Sequence, residues 1–150
     1  MRKERIDPFT LTDPWRSYVQ DAQHAQARFG QILKTVKKGP LRDRLDDLDQ
    51  RMNDGVLTCW RIAQTGYHAH KALLQVADTN SDAVARMRTH EADTQQKLST
   101  LTKSLDDAVA RAAELATGQM SGADDVVKDV GSVVDDLEAL RQAIAEVNPT

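Results

Sequence analysis

Three of the four histidines lie close together along the chain and could contribute to a metal site. His68, His70 and His90 are accompanied by Glu91, and zinc accepts imidazole nitrogen and carboxylate oxygen as ligands. If the turn between two antiparallel helices lies midway, His70 and His90 stand at the same height. His68 and His70, however, are two positions apart on a helix, so their side chains point in different directions. The alternative is a set of surface histidines, with Glu91 paired to His68 or Lys71.

The single cysteine is a candidate nucleophile, but its position in the sequence argues against catalysis. Cys59 allows neither an internal disulfide nor a cysteine-rich zinc site. It falls between Gly55 and Ile62 on an apolar repeat, which predicts a small core residue rather than an activated thiol. Gly-rich phosphate loops, His-Glu-x-x-His, Gly-x-Ser-x-Gly and Glu-x-x-His motifs are all absent from the sequence. We therefore predict a protein that is not an enzyme and that uses no cofactor and no small-molecule substrate.

A basic run forms a second candidate site. Its cationic residues are Lys34, Lys37, Lys38, Arg42 and Arg44, and only Asp43 opposes them. Such a run could contact anionic lipid headgroups or nucleic acid. The isoelectric point near 5.8 and the lack of interleaved aromatic residues argue against nucleic acid. An anionic membrane surface stays open as an alternative, as does pairing of the two arginines with acidic residues one turn further on.

The composition predicts an all-α domain with an aliphatic core. The chain has 150 residues, of which 40% are hydrophobic and only 4% aromatic, and this length suits one domain with one core. Seven glycines and four prolines supply too few turns for a many-stranded β fold. The sequence has neither an apolar run long enough to span a membrane nor the pattern of a signal peptide, so we expect a soluble chain.

Apolar residues recur at alternating steps of three and four, which is the pattern of helices packed in a coiled coil. Start and stop signals divide the chain into an N-terminal arm at 1–13 and helices at about residues 14–37, 41–77, 82–117 and 123–147. Gly55 and Gly66 fall on the seam of the second helix and are interpreted as close-packing positions rather than breaks. The predicted fold is an all-α antiparallel helical bundle, or coiled coil, with two long central helices flanked by two shorter ones.

The unequal helix lengths predict a projecting hairpin. At 1.5 Å per residue, the two long helices each span about 55 Å and the two short ones about 35 Å, so four helices pack at one end only. The projection covers roughly residues 66–94, and its seam buries little apolar area. We expect something to cover it: the N-terminal arm with Ile6, Phe9 and Leu11, a second copy of the chain, or a partner protein.

Four aromatic residues are expected at one height, near the end of the four-helix part. They are Trp15, Tyr18, Trp60 and Tyr67. Aromatic residues at helical spacing usually belong to the core, which predicts a lid over the bundle. An aromatic ligand pocket at this height is the alternative.

Four stretches carry a resemblance to a known group of proteins. They are Asp7-Pro8-Phe9-Thr10, Asp13-Pro14-Trp15-Arg16, Gly39-Pro40-Leu41-Arg42-Asp43-Arg44-Leu45, and Asp54-Gly55-Val56 followed by Cys59-Trp60-Arg61-Ile62-Ala63. Together they resemble the soluble cytoplasmic region of a group of uncharacterised actinobacterial membrane-anchored proteins. The match covers mainly residues 7–66 and carries no catalytic or binding residue. It implies a bacterial, cytoplasmic coiled-coil domain that is tethered to a membrane in a longer parent chain, with Arg5 among the juxtamembrane basic residues.

From these observations we predict a non-enzymatic interaction or scaffold module that acts through the projecting hairpin. Its predicted partner-binding residues are Leu73, Leu74, Val76, Val84 and Met87. Exposed apolar residues at helical spacing suit a helix of a protein partner or a self-dimer. The alternatives are a divalent-metal protein that uses the histidine cluster and a peripheral binder of anionic surfaces that uses the basic run.

Overall fold

The described part of the chain folds into four α-helices and one short 3₁₀ turn. The computed structural model of the protein describes residues 5–76, 81–116 and 123–147. The elements are the 3₁₀ turn Pro8–Thr10, α1 at Trp15–Thr35, α2 at Pro40–Leu74, α3 at Asp82–Ala116 and α4 at Ala123–Val147. The predicted all-α bundle is confirmed. The four helices begin within one residue of their predicted starts, whereas α1 ends two residues and α2 three residues before the predicted ends. The predicted ends at residues 77 and 117 lie outside the described residues.

A local side chain sets the start of α3. Ser81 caps this helix, because its hydroxyl oxygen accepts a hydrogen bond of 3.1 Å from the backbone nitrogen of Val84. The pair Asp13-Pro14 is typical of a helix start, but α1 begins at Trp15, and the carboxylate of Asp13 accepts a hydrogen bond of 2.8 Å from the hydroxyl of Ser17 rather than capping the helix. The first helix therefore begins one residue later than the Asp-Pro signal predicts.

The two long helices lie diagonally opposite each other in the bundle. Helices α1 and α4 each pack against both α2 and α3, whereas α2 and α3 have little direct contact. The shared core is mainly aliphatic, and its largest buried side chains include Trp15, Phe29, Leu45, Leu48, Met52, Ile62, Leu98, Leu105 and Leu137. Each short helix therefore separates the two long ones along the four-helix part.

Both seam glycines of α2 are close-packing positions, as the sequence predicts, and α2 continues through them. A Cβ atom on Gly55 would lie 3.0 Å from Cγ2 of Val134 on α4. A Cβ atom on Gly66 would lie less than 3.0 Å from three ring atoms of Trp15, the first residue of α1. The missing side chains therefore let α4 and the Trp15 ring approach α2, which outweighs the weaker helix propensity of glycine.

Polar pairs at the surface also join neighbouring helices. These pairs are Gln26 with Asn53 between α1 and α2, Arg28 with Asp106 between α1 and α3, Arg51 with Asp135 between α2 and α4, and Arg111 with Asp129 between α3 and α4. The side chains of the three ion pairs are between 38% and 75% exposed. Exposed ion pairs contribute about 0–1 kcal/mol each, so they select the packing arrangement more than they stabilise it.

The C-terminal end of α2 and the N-terminal end of α3 extend past the short helices α1 and α4. Trp15 at the start of α1 lies against Gly66, and Ile144 near the end of α4 lies at the height of Thr94. The N-terminal arm does not close the gap, since Leu11 is buried in the main core and Phe9 is 72% exposed. Throughout the described ranges, the helices are too polar to cross a membrane.

Candidate interaction surface and cavity

Exposed apolar side chains concentrate at the end of the α2–α3 hairpin. The described residues include four large hydrophobic side chains that are well exposed, and three of them lie here: Leu74 at 72%, Met87 at 42% and Val76 at 38%. The other is Phe9, which has the guanidinium of Arg16 5.4 Å from its ring centre. We call Leu74, Val76 and Met87 the apolar tip.

Two of the five predicted partner-binding residues are not available for contact. Leu73 is 6% exposed and Val84 is 3% exposed, and both lie outside the main core cluster. They are buried within the hairpin itself, because the apolar seams of α2 and α3 still face inward beyond the part that α1 and α4 cover. The predicted set is therefore corrected to the apolar tip alone.

The predicted seam of the hairpin is not closed, because a cavity of about 450 Å³ separates α2 from α3. Its walls are small residues of α2 and mixed residues of α3, and its floor is formed by the ends of α1 and α4. The lining residues are Trp15, Thr65, Gly66, Ala69, Leu73, Ala83, Arg86, Met87, His90, Glu91, Thr94 and Ile144. Because α2 and α3 are diagonal in the bundle, neither short helix fills the space between them beyond Trp15 and Ile144, and the small side chains of α2 leave this space open.

The cavity opens to the surface along the hairpin, so water, a ligand or the side chains of a partner can occupy it. Its lining is mainly apolar, with Arg86, His90 and Glu91 among the polar residues. Apolar walls offer water few hydrogen-bond partners, which favours a ligand or a partner side chain against them.

A histidine–glutamate pair connects α2 and α3 beside the cavity. Nδ1 of His70 lies 2.6 Å from Oε1 of Glu91, and the Glu91 side chain is only 15% exposed. The same Glu91 oxygen accepts a longer hydrogen bond of 3.4 Å from the amide of Gln95. His70 and Glu91 therefore meet across the helices, as the equal heights predict, although the partner of Glu91 is His70 rather than His68 or Lys71.

The four predicted metal ligands do not converge. His68 lies beside the ring of Tyr67, with 5.4 Å between ring centres, and takes no part in the His70–Glu91 pair. His90 lines the cavity, but its Nε2 atom is enclosed and has no hydrogen-bond partner within the described chain. Residues 5–76, 81–116 and 123–147 contain no group of three His, Cys, Asp or Glu side chains placed to hold a metal ion. The predicted four-ligand set is therefore wrong.

One residue of the basic run, Arg42, forms hydrogen bonds that hold the α1–α2 connection. Arg42 donates a hydrogen bond of 3.0 Å to the carbonyl of Val36, just beyond the end of α1, and another of 3.1 Å to Asp46 one turn along α2. Its guanidinium therefore satisfies a terminal carbonyl of α1. Lys34, Lys37 and Lys38 are exposed. The local pairing expected as the alternative is present for Arg42, which weakens the case for an anionic-surface site.

The environment of Cys59 makes it a poor nucleophile. The residue is fully buried, and its Sγ atom lies 3.7 Å from the carbonyl oxygen of Tyr18. Burial, with a smaller contribution from the negative charge of Asp21, raises the pKa of the thiol from 9.0 to about 12. The thiolate is therefore strongly disfavoured at neutral pH, as expected for a core residue.

Comparison of the chain with protein-family models, with curated proteins and with solved structures found no match. The resemblance to membrane-anchored actinobacterial proteins therefore stays a prediction. The features of the hairpin that could bind another molecule are the apolar tip and the cavity beneath it.

Sequence reasoning missed much of the cavity. Trp15 was expected in a lid or in an aromatic pocket, and it does form the floor, but Trp60 is a buried core residue. No pattern in the sequence indicated that Arg86 and Ile144 line the same cavity. Their contribution depends on where α4 ends relative to α3, and helical periodicity does not specify that height.

Proposed function

We propose that the protein is a non-enzymatic helical interaction module that docks through the end of the α2–α3 hairpin. The observation that carries the proposal is the apolar tip, where Leu74, Val76 and Met87 are each exposed near the α2–α3 connection. Scattered exposed apolar side chains are ordinary, but a group at the end of a projecting element is typical of a contact surface.

A second copy of the chain is the occupant that the surface charges favour. Asp82, Arg86, Asp93 and Lys97 are exposed on α3, and their spacing of four, seven and four residues places them on one helix face. We call them the charged stripe. In an antiparallel pair of α3 helices centred between residues 89 and 90, Asp82 opposes Lys97 of the other copy and Arg86 opposes Asp93. The stripe is therefore complementary to itself, as a twofold interface requires.

The same antiparallel register also brings the apolar tip close to the second copy. With Asp82 opposite Lys97 of the second copy, the tip of one chain lies at the height of a groove between α3 and α4 of the other. That groove has an apolar part formed by Leu101, Ala139, Leu140 and Ala143, and its other lining residues are Asp93, Gln96, Lys97, Thr100 and Asp136. Leu74 and Val76 then pack against the apolar part while the charged stripe sets the direction of pairing, because charges contribute specificity more than affinity.

Substitution of the apolar tip tests the proposal. We expect a Leu74→Glu/Val76→Glu variant to remain helical, because neither residue is buried, and to be monomeric at concentrations where the wild-type chain forms a dimer. Light scattering over a concentration series gives the mass, and circular dichroism reports the fold. A wild-type chain that stays monomeric at every concentration overturns self-association. A dimer that survives the double substitution overturns the role of the tip.

The charged stripe provides a sharper test, in which two variants that do not dimerise alone form a dimer with each other. Arg86→Glu/Lys97→Glu makes the stripe wholly acidic, and Asp82→Lys/Asp93→Lys makes it wholly basic. We expect each variant alone to be monomeric and their equimolar mixture to form a heterodimer, because opposite stripes then face each other. If the mixture remains monomeric, or if either variant alone still dimerises, the antiparallel register is wrong.

The cellular setting is a further part of the proposal. We place the module on the cytoplasmic side of a membrane, as the resemblance implies, with the hairpin directed away from the basic α1–α2 connection. The reduced, buried Cys59 is compatible with that compartment. Fractionation of cells that express the full-length parent chain, with and without alkaline carbonate extraction, tests this placement.

A further inference from the structure

The cavity beneath the apolar tip shares Met87 with the tip and Arg86 with the charged stripe, but it extends inward between the two long helices. It lies between α2 and α3 and is closed at the bottom by Trp15 and Ile144. Neither Leu74 nor Val76 lines it, and neither does any residue of the N-terminal arm. An occupant of the cavity is therefore not required by the proposed dimer and is not supplied by the described part of the chain.

The volume and the lining match a small-molecule site. A cavity of about 450 Å³ falls within the range of roughly 300–1,000 Å³ that is usual for ligand pockets. Its walls are mainly apolar, and its floor is the ring of Trp15 against Gly66. The hydroxyl of Thr94 already donates a hydrogen bond of 2.9 Å to the carbonyl of His90, so this buried polar group needs no ligand. Nε2 of His90, another lining residue, is enclosed and has no hydrogen-bond partner within the described residues, so it is a polar atom that a ligand hydroxyl can satisfy.

The charges of the lining select the class of ligand. Arg86 and Glu91 have opposite charges, and Oε1 of Glu91 lies 2.6 Å from Nδ1 of His70 across the hairpin. A carboxylate ligand would be attracted by Arg86 but repelled by Glu91, and an ammonium ligand would meet the reverse arrangement. The lining therefore gives no net advantage to either charged group, while the apolar walls favour an apolar body.

We infer that this cavity is a binding site for an uncharged, single-chain apolar molecule of the size of a medium-length alcohol. The apolar body packs between Ala69 and Met87 with its end on the ring of Trp15. A hydroxyl group at the mouth remains near Arg86 and the His70–Glu91 pair. Binding replaces water on the apolar walls and holds α2 and α3 at a defined separation.

Fluorescence of Trp15 provides the direct test. In a Trp60→Phe variant Trp15 is the remaining tryptophan, so titration with 1-decanol below its solubility limit should give a saturable shift of its emission. We expect 1-decanol to bind at least tenfold more tightly than decanoate or decyltrimethylammonium, which have comparable chains and opposite charges. Calorimetric titration of the wild-type chain gives the same ranking without the Trp60 substitution.

Two phenylalanine substitutions on α2 provide a matched control. Ala69 lines the cavity and Ala72 is exposed on the same helix, so Ala69→Phe should abolish decanol binding whereas Ala72→Phe should preserve it. The Leu74→Glu/Val76→Glu variant should also bind decanol, which separates this inference from the proposed dimer. Absence of saturable binding to the wild-type chain overturns the inference. Tighter binding of a charged probe, or binding that survives Ala69→Phe, overturns it as well.

Discussion

Replacing Gly66 by alanine should lower the free energy of unfolding by roughly 1–3 kcal/mol, the usual cost of overpacking a well-packed core. The new Cβ atom would lie less than 3.0 Å from three ring atoms of Trp15. The indole ring is rigid and 1% exposed, so relief of this contact requires the ring or the start of α1 to shift. Larger side chains should destabilise further, with leucine at this position costing more than alanine. Thermal and urea unfolding measure the change.

Gly30 supplies the matched control for Gly66. It lies inside α1, and a Cβ atom there would have no neighbouring atom within 4 Å. Gly30→Ala should therefore stabilise the protein by up to about 1 kcal/mol, because alanine has the higher helix propensity. The two Gly→Ala substitutions should therefore change the free energy of unfolding in opposite directions. The difference between the two changes isolates the contact of Gly66 with Trp15.

A double substitution identifies the contact. In a Trp15→Leu background the ring is removed, so Gly66→Ala should become neutral or stabilising, and the double-mutant cycle should show a coupling of at least about 1 kcal/mol. If Gly66→Ala is as stabilising as Gly30→Ala in the wild-type background, Trp15 does not pack on Gly66. The placement of the Trp15 ring as the floor of the cavity would then be wrong as well.

Raising the pH above 9 should destabilise the protein through Cys59. Burial raises the pKa of its thiol from 9.0 to about 12, so the unfolded chain releases this proton at a lower pH than the folded chain does. The contribution of the neutral thiol to stability is therefore complete below pH 9 and is lost progressively between pH 9 and about 12. The expected slope approaches 1.4 kcal/mol per pH unit within this range.

A Cys59→Ala variant separates this effect from the titration of lysine and tyrosine. Its free energy of unfolding should start lower at neutral pH, because a buried atom is removed, and should fall less steeply above pH 9. Urea unfolding of both proteins at several pH values gives the difference in slope. Equal slopes for the two proteins would mean that the thiol is not buried in the folded state.

Thiol labelling provides an independent check on the same residue. Because the thiolate is disfavoured and Sγ is enclosed, the folded protein should react with a disulfide reagent only through unfolding. The labelling rate should increase with urea in proportion to the unfolded fraction. Rapid labelling of the folded chain at neutral pH would contradict the placement of Cys59 in the core.

The local features of the chain were largely predictable from the sequence. Ser81 caps α3, α2 runs through Gly55 and Gly66, and Leu45, Leu98 and Leu105 lie in the core, all of which follow from capping preferences and apolar spacing. His70 and Glu91 could be placed at one height because a short helix connection makes their distances from the turn comparable. These features depend on interactions between residues that are near in sequence or that share one helix face.

The tertiary structure decided which surfaces meet. Periodicity shows that a helix has an apolar face, but it does not specify which neighbour covers that face, so the diagonal placement of α2 and α3 could not be derived from it. That placement buries Leu73 and Val84, leaves Leu74 exposed, and opens the cavity above Trp15. The sequence by itself therefore determined the helices and the residues of their seams. Packing between distant segments determined the surface and the cavity through which we propose the protein acts.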